Sequence, residues 1–154
     1  MQVDLDGIDR KILSEIQADG RITNVDLAAR VHLSPPQCLR RVRALEERGV
    51  IRGYRALVAG ERLGYGVMAF VSVNISAGAF DRVRELEATI RGFAQILECH
   101  TVSGDCDYLL KVVAPDLRAL SQFLTDRLMQ TPGVANVRSM ICLEEVKPSA
   151  PWPV

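Results

Sequence analysis

Ser34-Pro35-Pro36-Gln37-Cys38-Leu39-Arg40-Arg41-Val42-Arg43-Ala44-Leu45-Glu46-Glu47-Arg48-Gly49 reads as one complete helix with its start and stop included. Ser34 and Gln37 form an S-x-x-Q capping box, in which each residue satisfies a backbone N–H that the first turn leaves free. Pro35 falls at the first helical position, where its missing N–H costs nothing and its fixed φ already suits the helix. Gly49 supplies the left-handed stop. At about 100° per residue, Cys38, Leu39, Val42 and Leu45 fall on one side, the expected core face. Pro36, Gln37, Arg40 and Ala44 lie opposite, and Arg41, Arg43 and Arg48 take the flanks.

Working towards the N-terminus, two more helices are punctuated in the same way. Thr23 with Asp26 resembles a capping box ahead of an apolar face of Val25, Leu27, Ala28 and Val31. Asp6 can cap a first helix that carries Ile8, Ile12, Leu13 and Ile16, with Gly20 as its stop. The second and third helices are separated only by the turn His32-Leu33-Ser34, the layout of a helix-turn-helix. A DNA major groove admits one α-helix, whose first turns face base edges. Gln37, Arg40 and Arg41 are therefore expected at base edges or groove walls, and Ser34, Arg43 and Arg48 near phosphates. Pro36 shares the outward face. The competing reading is a solvated cationic face in which Arg43 and Arg48 pair with Glu46 and Glu47.

After Gly49, Val50 to Arg55 reads as a short strand serving as a wing or hinge, and Gly60, Gly64 and Gly66 mark a flexible connection. The pattern then changes. Strand-like runs at Val67–Ile75, Ile96–Val102, Tyr108–Val113 and Val134–Val146 alternate with helical spacing at Phe80, Val83, Leu86 and Ile90 and at Leu117, Leu120, Leu124 and Leu128. The order βαββαβ is a ferredoxin-like arrangement with an antiparallel sheet, so the chain is α+β. Its helices cover one face of the sheet. Apolar residues on both parities of the first and fourth strands (Val67, Phe70, Val71, Val73; Ile141, Cys142, Leu143) imply that a second subunit covers the other. The expected domains are residues 1–60, residues 61–147 and a tail, 148–154, whose prolines cannot continue a helix or a central strand. The tail reads as mobile, with Trp152 docking on a neighbouring subunit as the alternative.

The 154 residues carry 19 Lys plus Arg against 19 Asp plus Glu, so net charge gives no argument for nucleic-acid binding. Local charge does. From Arg40 to Arg55 there are six arginines against two glutamates, and it is local charge that steers an anionic partner. No apolar run approaches the roughly 20 residues of a membrane span, and the start, with Asp4 and Asp6, is acidic where a signal peptide is basic. The expected location is the cytoplasm. Cys38, Cys99, Cys106 and Cys142 include no C-x-x-C pair, and Cys99, His100 and Cys106 lack structural zinc spacing. Neither metal nor cofactor is expected. With no phosphate loop and no nucleophile served by a base, an enzyme is not expected either.

Leu5-Asp6-Gly7-Ile8-Asp9-Arg10-Lys11-Ile12-Leu13, Asp19-Gly20-Arg21-Ile22, Leu33-Ser34-Pro35, Arg41 through Glu46, Gly49-Val50-Ile51 and Glu98 through Lys111 together resemble the leucine-responsive/asparagine-specific (Lrp/AsnC, feast/famine) family of prokaryotic transcription regulators. The resemblance runs in order through almost the whole chain. It implies an N-terminal winged helix-turn-helix that binds double-stranded DNA. It also implies a C-terminal amino-acid-sensing module and a homodimer, with an octamer as the larger alternative. Effectors of the family bind near the loop between the second and third strands. Here that loop is Ser103-Gly104-Asp105-Cys106-Asp107, with His100, Thr101 and Val102 leading into it. An α-amino acid needs an acceptor for its ammonium, which Asp105 can be, and N–H donors for its carboxylate, which a glycine turn exposes. The competing reading is that Asp105 and Asp107 only shape a tight turn. Two positions depart from the family: His32 stands where many members have Gly, and Cys106 where an aromatic residue is common. The function implied is an effector-responsive regulator, and the alternative is an effector-independent architectural DNA-binding protein.

Overall fold

The computed structural model describes residues 4–78 and 82–154, so the expected helical position Phe80 lies outside the described residues. The chain divides into a unit that runs to Val58 and takes in Lys147–Val154, and a unit Ala59–Val146.

The first unit is built on three helices, α1 (Gly7–Ala18), α2 (Asn24–Arg30) and α3 (Pro35–Glu47). Asp6 caps α1 by accepting from the N–H groups of Ile8 and Asp9 at 2.9 and 2.8 Å. The helix closes on an extended Asp19, one residue before Gly20. Thr23 caps α2 by accepting from the Asp26 N–H at 3.1 Å. Val25, expected on the apolar face, is 64% exposed. Leu27, Ala28 and Val31 already fill the inward arc of this short helix, and Val25 stands well to one side of it. The turn into α3 is set by His32, whose φ of +58° lies in the left-handed region, and by the Leu33 N–H donating to the Ala28 carbonyl. Ile12, Leu13, Leu27, Ala28, Val31, Cys38 and Leu45 form the core. Leu39, at the margin of the α3 core arc, is partly exposed.

Gly49, at φ +70°, ends α3, and the Val50 and Ile51 N–H groups both donate to the Leu45 carbonyl. The strand expected over Val50–Arg55 does not form within one chain, because a strand needs a ladder partner and this segment has none among the described residues. Tyr54 instead donates to Glu46 at 2.9 Å, and Leu57 and Val58 stay exposed. The tail meets the first unit at one residue. Gln17 grips the Trp152 backbone twice, accepting from its N–H at 2.7 Å and donating to its carbonyl at 3.0 Å.

The second unit is a four-stranded antiparallel sheet in the order β2-β3-β1-β4, with β1 Val67–Ile75, β2 Ile96–Thr101, β3 Tyr108–Ala114 and β4 Val134–Ile141. Helix α4 (Val83–Arg91) follows β1. Helix α5 (Leu117–Phe123), extended by a wider turn over Leu124–Leu128, follows β3. Ala69, Val71 and Val73 oppose Val112, Leu110 and Tyr108 and pack with Leu86, Ile90, Leu120, Phe123 and Leu128. Val71 and Val73 therefore belong to the core and not to the bare face, and Val67 and Ile141 share their parity. The opposite face carries Phe70 beside Met140 and Lys111. Strand β4 stops at Ile141, short of the expected Val146, with a last bond from the Cys142 N–H to the Met68 carbonyl. Among the described residues no helix is long and apolar enough to cross a membrane.

Candidate nucleic-acid interface and effector loop

Helix α3 presents Pro36, Gln37, Arg40 and Arg43 as exposed residues. Ser34 donates to Gln37 Oε1 from both its N–H (3.3 Å) and its hydroxyl (2.8 Å), so the cap fixes the Gln37 side chain and leaves its amide N–H₂ facing outwards. Asn24 on α2 donates to the Pro35 carbonyl at 2.9 Å and braces the same end, a contact that sequence spacing alone did not reveal. Arg40 and Arg43 form no ion pair among the described residues.

Arg41 and Arg48 turn inwards. Arg41 Nη1 bonds Asp6 and Asp9 at 2.7 Å each, so a residue expected at base edges is engaged within the fold. Arg48 donates to the Asp4 carbonyl and stands 3.9 Å from Asp9, in place of the alternative pairing with Glu46 or Glu47. The Asp9 N–H, followed by the Arg41 guanidinium, holds the Asp6 carboxyl below its ordinary range. The bonds from Asp6 and then Asp9 raise Arg41 in turn. The available signal was the spacing of Asp6 and Asp9, three apart at the start of α1 and so on one side of the helix.

The loop after β2 is held by Asp107. Its carboxylate accepts from the Ile75 N–H at 2.8 Å, its own N–H donates to Val73 at 3.0 Å, and its carbonyl accepts from Val102 at 3.1 Å. Asp107 is thus the residue that shapes the turn. Asp105 differs: Asn74 donates to its carbonyl at 3.0 Å, while its exposed carboxylate has no partner among the described residues. Ser103 is exposed, Gly104 has a φ of +135°, and Val102 and Cys106 are half-buried. His100 lies 3.2 Å from Glu98 and shares the open sheet face with Leu109, whereas Thr101 faces the helices opposite Tyr108. On that helix side a cleft of about 420 Å³ opens between α4 and β2, lined by Glu87, Ile90, Arg91, Cys99, Thr101 and Tyr108 among others. Of the expected effector residues only Thr101 borders it. Burial, and then the Glu87 charge, raise the Cys99 thiol, so the least reactive form of this sulfur dominates. No cluster suited to a metal ion occurs among the described residues.

Residues 5–52 match a family model described as winged helix-turn-helix DNA-binding, and residues 68–152 match one described as the Lrp/AsnC ligand binding domain. The chain belongs to the Lrp/AsnC family. It is 47% identical to the leucine-responsive regulatory protein of Escherichia coli K12 over 146 residues, which cover 95% of this chain and 89% of that protein. A transcriptional regulator of Neisseria meningitidis, solved as its L-Met complex, superposes with a TM-score of 0.93 at 39% identity, covering 97% of each chain. An AsnC family regulator of Agrobacterium tumefaciens gives 0.90 at 34% identity, again with 97% of each covered. Like other Lrp/AsnC proteins, this chain is a DNA-binding transcription regulator and not an enzyme. Within that frame α3 is the recognition helix of the winged helix-turn-helix, and the sheet unit is the ligand-binding domain.

Proposed function

We propose that this Lrp/AsnC regulator acts in the cytoplasm as a homodimer or larger homo-oligomer and reads double-stranded DNA through Gln37, Arg40 and Arg43. In this reading it responds to a free amino acid held at the 103–107 loop, and it needs no cofactor. The observation that carries the sensing half is the contrast between the two loop carboxylates. Asp107 is consumed by the Ile75 N–H, whereas Asp105 is exposed beside a glycine turn and its carboxylate has no partner among the described residues. A free carboxylate there is an acceptor for an α-ammonium, and the turn offers backbone N–H groups to the ligand carboxylate. The L-Met complex of the Neisseria relative supports an amino acid of that size as the first ligand to try.

Calorimetry with L-methionine and L-leucine on wild type, Asp105→Ala and Asp105→Asn tests it. Wild type is expected to bind. Asp105→Asn, which keeps the shape and loses the charge, is expected to bind at least tenfold more weakly, a loss of about 1.4 kcal/mol. Equal binding by all three places the ammonium elsewhere. Absence of binding to any common amino acid favours the architectural alternative.

A further inference from the structure

Asp9 is the one charged side chain buried among the described residues, at 8% exposure. Two guanidinium groups converge on it, Arg41 on one oxygen at 2.7 Å and Arg48 near the other at 3.9 Å. Asp6 takes the second bond of the same Arg41 nitrogen, and it is itself fixed, because it accepts from two N–H groups as the cap of α1. Arg48 adds the Asp4 carbonyl. The first turn of α1 therefore holds α3 at residues 41 and 48, two turns apart and so roughly 10 Å apart along the axis. Two anchors at that separation fix both the tilt of a helix and its rotation about its own axis. Gln37 and Arg40 stand on the same helix, and a rotation that freed Arg41 would swing them off target.

We propose that Asp9, with Asp6, is a positioning residue for DNA recognition: through Arg41 and Arg48 it sets the rotation of α3 that aims Gln37 and Arg40 at base edges, and Arg41 makes no contact with DNA. Arg41 belongs to the basic segment by sequence and to the scaffold by geometry. A surface arginine that bonds a phosphate gives up water to do so. Arg41 would have to leave two carboxylates at 2.7 Å, one of them buried, and leave Asp9 with only the more distant Arg48.

The test is a double-mutant cycle on the full-length protein, with Asp9→Asn, Arg41→Gln and the pair. Each is titrated with a duplex selected from a random pool by wild type and with a scrambled duplex, at several salt concentrations. Circular dichroism first establishes native helix content. Positioning predicts that each single change lowers affinity for the selected duplex about tenfold or more and that the pair is no worse than the weaker single. It also predicts that binding to the scrambled duplex changes little and that the slope of log K against log salt keeps its wild-type value. A phosphate contact by Arg41 predicts a slope shallower by about one in Arg41→Gln and a further loss when Asp9→Asn is added. Either of these results overturns the proposal, as does wild-type discrimination in both single variants. If Asp9→Asn does not fold, Asp6→Asn, at a half-exposed carboxylate, replaces it in the cycle with the same expectations.

Discussion

His32 shows how a single residue carries the turn of the helix-turn-helix. Its φ of +58° is the sole left-handed value for a non-glycine residue among those described, at a position where the resemblance leads one to expect glycine. A Cβ in this region crowds the following carbonyl, at a cost of about 1–2 kcal/mol, and histidine tolerates it better than most. His32→Gly is therefore expected to hold or raise the unfolding midpoint, since relief of strain offsets the extra freedom of the unfolded chain. His32→Val, β-branched, is expected to lose about 2 kcal/mol or more. Thermal unfolding of the three proteins checks it, and a Val variant as stable as wild type would show that the turn relaxes out of the left-handed region. Caps and stops of this kind were legible because they depend on neighbours in sequence: Asp6, Thr23, the Ser34–Gln37 pair and Gly49 all act within one turn. The inward turn of Arg41 was not legible. Its partners lie 35 and 32 positions away, and an arginine on a helix flank looks the same whether it faces water, phosphate or a distant aspartate.

At the scale of elements, periodicity recovered helices and strands but misjudged their margins and ends. An apolar residue near an apolar arc reads as part of it, yet Leu39 and Val25 stand off the centre of their helices' arcs and stay exposed. The expected strand over Val50–Arg55 has strand-forming residues and no ladder, since pairing is a property of two segments. The recognition helix is the element whose function divides most clearly by residue. Arg40 and Arg43 are both exposed and unpaired among the described residues, but Arg40 shares the outward face with Gln37, and Arg43 lies on the flank. Arg40→Ala is expected to weaken binding to a selected duplex by about 1–3 kcal/mol and to relax sequence preference at one position per half-site. Arg43→Ala is expected instead to weaken binding to all duplexes alike and to make the salt slope shallower by about one. Footprinting across a mutated-site series separates the two, and an Arg40→Ala protein with intact preference would remove that residue from base readout.

Across the whole molecule, the consequence that matters most for regulation is the uncovered face of the sheet. Helices α4 and α5 follow β1 and β3 and pack on the face of Val71, Val73, Leu110 and Val112. The other face is left with Phe70 39% exposed and its cross-strand neighbour Met140 57% exposed. Beside them Lys111 lies 3.8 Å from Glu98 and 3.9 Å from Glu145, so the apolar patch is bordered by charges that already have partners. An antiparallel sheet can leave one face in water, but that face then alternates to polar residues, and here Phe70 and Met140 break the alternation at adjacent positions. A second copy of the same sheet is the simplest cover, because a two-fold axis sets identical patches against each other. Light scattering at micromolar concentration is therefore expected to return at least twice the 17.0 kDa of one chain. Met140→Asp buries a charge within such an interface and is expected to shift the protein towards the monomer. The same loss should appear on DNA. A dimer presents two copies of α3 and so favours a pseudo-palindromic site, its half-sites separated by a whole number of helical turns of about 10.5 base pairs. A monomeric Met140→Asp protein is expected to bind one half-site at a time and to lose sensitivity to half-site spacing. A wild-type protein that runs as a single chain, or a Met140→Asp variant of full mass, would move the interface away from this face.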